Sequence, residues 1–216
     1  MTPFPFRAPA GPLDHLLVAA DEAFRALWGA TSARRPLPCG GRELPASQED
    51  RRISSGLMRV NHTGEVCAQA LYSGQSMVAR DPMVRGALQV AAAEERDHLS
   101  WCRDRLTDLD SRPSLLDPLW YAGSFAWGVA SGLAGDRWSL GFLVETEAQV
   151  ERHLDGHLEL LPKEDTCSRE IVAQMRDDEN RHGQAGRDLG ARELPYAVKL
   201  AMRAASKVMT RTAYWV

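Results

Sequence analysis

Two short patterns in the chain could do chemistry: Glu95-Arg-Asp-His98 and Glu179-Asn-Arg-His182. Residues three apart share one face of a helix, so each carboxylate and imidazole can reach a common ion. Either pair alone would equally suit an exposed charged face with a helix-stabilising ion pair. Two further glutamates give the pairs a context. Glu65 precedes Glu95 by 30 residues, with the midpoint beside the Asp81-Pro82 breaker, and Glu147 precedes Glu179 by 32, with the midpoint beside Pro162. In an antiparallel helical hairpin, residues equidistant from the turn stand at the same height. Fifteen residues rising about 1.5 Å each carry the chain roughly 22 Å out and the same distance back. Each hairpin can therefore set one lone glutamate level with one Glu-x-x-His pair.

Four carboxylates in one buried layer are prohibitive unless compensated, because isolated buried charges are costly or take up protons. Two divalent cations carry four positive charges and neutralise them. Hard oxygen donors with two imidazoles suit iron or manganese better than structural zinc. In such a site Glu95 and Glu179 are the natural bridging ligands, His98 and His182 cap one ion each, and Glu65 and Glu147 are terminal ligands. Glu94 neighbours Glu95 but has no histidine three residues on. Glu151, one turn after Glu147, competes with it, and spacing favours Glu147 only slightly.

The elements that must position these residues are helices. No run of alternating β-branched residues bounded by turn pairs occurs. Proline-containing breaks at Pro82, Pro113 to Pro118, Pro162 and Pro195 divide the chain, since proline removes a backbone donor and disfavours helix in the preceding residue. The pattern predicts helices over 48–80, 83–111, 118–134, 137–161, 166–189 and 195–213. The fold class expected is all-α, a ferritin-like antiparallel four-helix bundle with accessory N-terminal and C-terminal amphipathic helices. Residues 1–46 are expected to form a separate short helix and linker, and 47–216 the metal-binding domain. The short helix should bury Leu13, Leu16, Leu17, Ala20, Phe24, Leu27 and Trp28 on one face and end at Gly29. Residues 30–46, rich in proline and glycine, read as a linker with little structure.

Two segments bear on membranes. Residues 118–135 carry no formal charge but are rich in Gly, Ala and Ser. They barely reach spanning length, so a buried or membrane-grazing helix is expected in preference to a transmembrane one. The last helix sets a basic stripe (Lys199, Arg203, Lys207, Arg211) beside an apolar one (Val198, Met202, Ala205, Met209), followed by Tyr214 and Trp215. Such a helix can lie on an anionic membrane surface.

Composition narrows the classes. Apolar residues make up 44% and charged residues 25% of 216, the mix of a folded chain. A net charge of −3 argues against a dedicated nucleic-acid binder. The four cysteines (Cys39, Cys67, Cys102, Cys167) form no CxxC pair. That excludes a zinc ribbon or thioredoxin motif and leads to the expectation of unpaired thiols in a reducing compartment. The N-terminus shows no secretory pattern.

RVNHTGEVCAQALYSGQ around Glu65, EERDHL around Glu95, VETEAQVERHL around Glu147 and RDDENRHG around Glu179 together resemble the demethoxyubiquinol hydroxylase family, from about Leu57 to the C-terminus. The resemblance implies a ferritin-like monooxygenase holding two iron ions per chain and bound peripherally to the quinone-bearing membrane, here the cytoplasmic face of the cell membrane. It implies hydroxylation of a polyprenyl methoxy-methyl-benzoquinol by dioxygen in ubiquinone biosynthesis. Its partners would be that quinol, dioxygen, membrane lipids and other proteins of ubiquinone synthesis, with no nucleic acid. It carries the metal ligands over to Glu65, Glu95, His98, Glu147, Glu179 and His182, and so selects Glu147 over Glu151.

Other residues are open to blander readings. Tyr72, two turns after Glu65, could touch substrate but is expected to be a core tyrosine with a satisfied hydroxyl. His62 could orient Glu65 or simply pack. His153 points about 120° away from Glu147, so neither it nor His157 is expected to ligate; both could support the site or face solvent. Cys67 and Cys102 read as small core residues. Competing functions on the same scaffold are a ferritin-like peroxidase or ferroxidase, an iron-handling protein, or a scaffold for quinone-synthesis enzymes.

Overall fold

A computed structural model describes residues 11–29 and 33–216, apart from the side chains of residues 12, 13, 15 and 16. Expectations for residues 1–10 and 30–32, and for the side chains of Leu13 and Leu16, lie outside the described residues. Among those described, all regular structure is helical: α1 (Pro12–Trp28), α2 (Gln48–Val78), α3 (Pro82–Asp108), α4 (Asp117–Leu133), α5 (Asp136–Leu160), α6 (Thr166–Asp188) and α7 (Tyr196–Trp215).

The helix starts follow local chemistry. Ser47, Asp81 and Asp165 each accept a hydrogen bond from a backbone N–H of the first turn of α2, α3 and α6, meeting donors that would otherwise be orphaned. Pro82 sits in the first turn of α3, where its missing donor costs nothing. Between α4 and α5 the chain turns at Gly135, whose φ of 115° requires glycine.

Helices α2 and α3 form one antiparallel hairpin and α5 and α6 the other, and α3 packs on α6 and α2 on α5. This is a ferritin-like four-helix bundle. Its interior is layered. Met58, Trp101, Leu154, Ile171 and Met175 form an apolar cluster toward one end, and Tyr72, Leu88, Ala91, Leu140 and Leu143 form another toward the other end. The stretches of helix between those clusters hold Glu65, Glu95, Glu147 and Glu179.

The uncharged segment is α4, which packs closely along α2. A Cβ on Gly74 would run into the backbone of Phe125, and one on Gly128 into the backbone of Leu71. The small residues therefore serve helix-to-helix contact, and Leu119, Trp127 and Leu133 are left exposed. No helix among the described residues is long and apolar enough to cross a membrane.

Two expectations of packing are overturned. In α1 the residues that face the bundle are small, Ala19 and Ala26, whereas Leu17, Phe24 and Trp28 point outward. The alanines allow α1 to approach the cluster of Val66, Ala70, Leu99 and Tyr121, with Ala23 and Leu27 packed against it. The thiol expectation also fails: Cys39 is bonded to Cys167, 128 residues away, while Cys67 and Cys102 are free. A pairing across that separation leaves no trace in cysteine spacing.

Candidate dimetal centre

All six residues singled out by spacing meet in one buried layer. Glu65, Glu95, His98 and Glu179 offer ligand atoms within 4.8 Å of one another, and so do Glu95, Glu147, Glu179 and His182. Glu95 and Glu179 belong to both groups and occupy the middle. Glu151 is not among them; on the surface it accepts a hydrogen bond from Asn180 Nδ2 at 3.0 Å.

Both imidazoles turn Nδ1 inward. His98 Nδ1 lies 2.9 Å from Glu95 Oε2, 3.5 Å from Glu179 Oε1 and 3.7 Å from Glu65 Oε2. His182 Nδ1 lies 3.1 Å from Glu95 Oε1 and 3.4 Å from Glu179 Oε2. The outer nitrogens face two further carboxylates: His98 Nε2 is 2.9 Å from Asp178 Oδ2, and His182 Nε2 is 3.0 Å from Glu94 Oε2. The support is crossed. Asp178, on α6 beside Glu179, holds the histidine of α3, and Glu94, on α3 beside Glu95, holds the histidine of α6. An outer carboxylate of this kind fixes the ring and makes the inner nitrogen a better donor.

The burial and mutual contacts of these groups shift their proton affinities in opposite directions. Burial pushes Glu65 and Glu147 well above the usual carboxylate range, and the neighbouring charges of Glu95 and Glu179 add to the effect. Burial acts on Glu95 and Glu179 too, but the histidines outweigh it and hold both below that range. For His98, burial opposes protonation, yet Glu95 and its hydrogen bond to Asp178 raise it well above the ordinary imidazole range. His182 is pushed up to about 12 against burial by Glu179 and Glu95. With protons on both imidazoles, Glu65 and Glu147, the directions of these shifts, the six groups would sum to zero charge. Two divalent cations could take the place of those four protons without changing the balance. The donor set fits metal in a second respect: Glu147 Oε1 and Glu95 Oε1 are buried without a hydrogen-bond donor in good geometry. Mixed carboxylate and imidazole ligation of this kind suits iron or manganese.

Other residues weighed in the sequence lie apart from the centre. His62 faces Asp117, its Nδ1 3.1 Å from Oδ2, and Thr63 donates to the other oxygen at 2.7 Å, so this pair ties α2 to the start of α4. The rings of His153 and His157 lie against each other, tilted by 59°, with centroids 4.0 Å apart. Burial and His153 push His157 down to about 3. Tyr72 is fully buried as expected, but its hydroxyl has no hydrogen-bond partner. In α7, Lys199 and Arg203 turn toward Glu145 at 3.7 and 3.9 Å, so half of the basic stripe ties this helix to α5.

Sequence reading missed the outer residues. Spacing marks Glu94 only as a rival to Glu95 and does not single out Asp178, although an acid precedes the glutamate in both pairs. Asp178 is fully buried and accepts from Gln174 Nε2 at 2.9 Å, from Arg181 and from Arg35 Nη1 at 2.7 Å. Burial would raise it, but the bonds to His98, Arg35 and Arg181 hold it far below the usual carboxylate range. Arg35 lies in the segment expected to have little structure.

A cavity of about 210 Å³ reaches His182. Its walls include Leu88, Ala91, Leu140 and Leu143, and Val90, 62% exposed, marks its opening. His98, by contrast, lies under Trp101, with 5.4 Å between ring centroids.

The sequence profile of the ubiquinone biosynthesis protein COQ7 matches residues 52–213. A protein of Ralstonia pickettii named 3-demethoxyubiquinol 3-hydroxylase is 56% identical over 214 residues, covering 94% of this chain and 99% of that one. One of Bordetella petrii with the same name is 55% identical over 214 residues, covering 98% and 95%. A solved structure, a dodecameric thioferritin related to bacterioferritin from Bacteroides fragilis, overlays with a TM-score of 0.49 and 18% identity over 71% of this chain and 89% of that one. That likeness is slight, and the fold assignment rests on the bundle itself. By the profile match and the relatives more than half identical over nearly its whole length, the chain belongs to the family of the ubiquinone biosynthesis protein COQ7.

Proposed function

We propose that this chain is a 3-demethoxyubiquinol 3-hydroxylase, a monooxygenase that holds two iron ions and adds a hydroxyl group from dioxygen to the ring of a polyprenyl methoxy-methyl-benzoquinol. The observation that carries this reading is the convergence of two Glu-x-x-His pairs and two lone glutamates in one buried layer, in a chain akin over nearly its whole length to proteins of that name. Glu65 and His98 would hold one ion, Glu147 and His182 the other, with Glu95 and Glu179 shared between them. When bound, iron supplies the redox chemistry that activates dioxygen, which no protein side chain here can do.

The chain's own contribution is placement. The apolar cavity ending at His182 suits a quinol ring, holding it against the metal-binding layer and excluding bulk water. Asp178 and Glu94 keep the outer N–H of each imidazole engaged, so that both Nδ1 atoms stay free to ligate.

A long isoprenoid tail requires a lipid phase near the cavity mouth, and we read the protein as peripheral at the cytoplasmic face of the membrane. Exposed apolar side chains on α1 (Phe24, Trp28), α4 (Leu119, Trp127) and α7 (Leu200, Trp215) support surface contact. The test is turnover by the iron-loaded chain of a demethoxyubiquinol in liposomes with a reductant and oxygen. Appearance of the hydroxylated quinol is expected. Oxidation of Fe(II) without a hydroxylated product would instead mark an iron-oxidising protein.

A further inference from the structure

Residues 33–46 contain no helix or strand, yet they are firmly strapped to the bundle. Ala33, Leu37 and Cys39 pack against the cluster around Met58 and Trp101. Cys39 is bonded to Cys167 at the start of α6. Buried Arg105 donates to the carbonyl of Glu43 at 3.0 Å. At the head of the strap, the backbone N–H of Arg34 donates to Asp97 Oδ1 at 2.7 Å. The Arg35 side chain then spans two acids, with Nε 3.0 Å from Asp97 Oδ2 and Nη1 2.7 Å from Asp178 Oδ2. That oxygen of Asp178 is the one that faces His98 Nε2. The guanidinium also lies over the Trp101 ring, 4.7 Å from its centroid.

We propose that Arg35 is a positioning residue for His98: from outside the bundle, it clamps Asp178 where its carboxylate meets His98 Nε2, and so sets how tightly the His98 side of the centre binds its ion. A rigid, planar two-pronged guanidinium fixes the direction of the carboxylates it bridges, here Asp97 and Asp178. Arg35 lies upstream of the region matched by the family profile. The strap is thus an addition to the bundle that reaches its metal-binding layer. Among the described residues the other half has no equivalent strap. Glu94 is 29% exposed at its side chain and, besides His182, meets Arg181 at 3.4 Å, so water can serve it.

This inference rests on the reading of the cluster as a dimetal centre, and the experiment separates the two. The metal-free full-length chain is titrated with Co(II), following its visible ligand-field bands, alongside Arg35→Ala, Arg35→Lys, Asp97→Asn and Arg42→Ala. Arg42 is on the same strap but pairs with Asp108 at the surface. The unaltered chain should take up two ions. Arg35→Ala should weaken one of them by about tenfold or more and leave the other unchanged. Arg35→Lys should recover part of the loss, and Asp97→Asn should give a smaller selective loss while keeping the arginine. Arg42→Ala should match the unaltered chain. Equal binding by Arg35→Ala and the unaltered chain would overturn the proposal, as would equal weakening of both ions by Arg35→Ala and Arg42→Ala. If the unaltered chain takes up no ion, the dimetal reading itself falls.

Discussion

The two halves of the centre are built from the same parts and finished differently. His98 is wholly buried, covered by Trp101 and backed by Asp178, which Arg35, Arg181 and Gln174 all engage. His182 is 7% exposed, backed by the half-open Glu94, and sits at the end of an apolar cavity. The difference assigns labour. A closed half with a rigid outer network suits holding an ion, and an open half beside a cavity suits admitting a substrate.

The first way to break this comparison is to remove what the halves share. Glu179→Ala should abolish binding of both ions and lower hydroxylation by about a thousandfold or more, because it strips each ion of a ligand and leaves buried charge unbalanced. Metal content and turnover measured together would check it; retention of either would refute the shared role. Next come the outer carboxylates. Asp178→Asn should weaken metal binding or activity by about 10- to 100-fold, whereas Glu94→Gln should cost only a few-fold, because solvent reaches Glu94. Equal losses would erase the distinction between the halves. Filling the cavity with Ala87→Phe should reduce kcat/KM by about tenfold with iron content unchanged. A loss confined to kcat, or a loss of iron, would place the substrate elsewhere.

The last prediction concerns protons. Both histidines and two of the glutamates are raised above their ordinary values, so at neutral pH the metal-free centre carries protons that ions must displace. Metal binding should strengthen as pH rises and release roughly four protons for two ions, measurable by titration in weakly and strongly buffered solution. Binding that ignores pH would contradict the charge balance.

How much of this was legible in the sequence depended on period and symmetry. Helices and their breaks followed from proline positions and capping residues, and equal distances from two turns sufficed to bring six distant residues to one height. What spacing could not reach were contacts made across elements without a repeat. The bond from Cys39 to Cys167 and the reach of Arg35 to Asp178 span 128 and 143 residues. The face of α1 escaped spacing for a related reason. Periodicity finds an apolar stripe but not which side the bundle takes, and α1 packs by its alanines. The signal for Asp178 and Glu94 was present, an acid before the glutamate of each pair, but only the facing of α3 on α6 gives it meaning.

Because each of those two helices carries the brace for the other's histidine, neither seat can be finished by one helix alone. Sliding α6 along α3 by a single turn, about 5.4 Å, would unseat both imidazoles at once. Loading with iron should therefore be an all-or-nothing report on whether the two hairpins have docked in register.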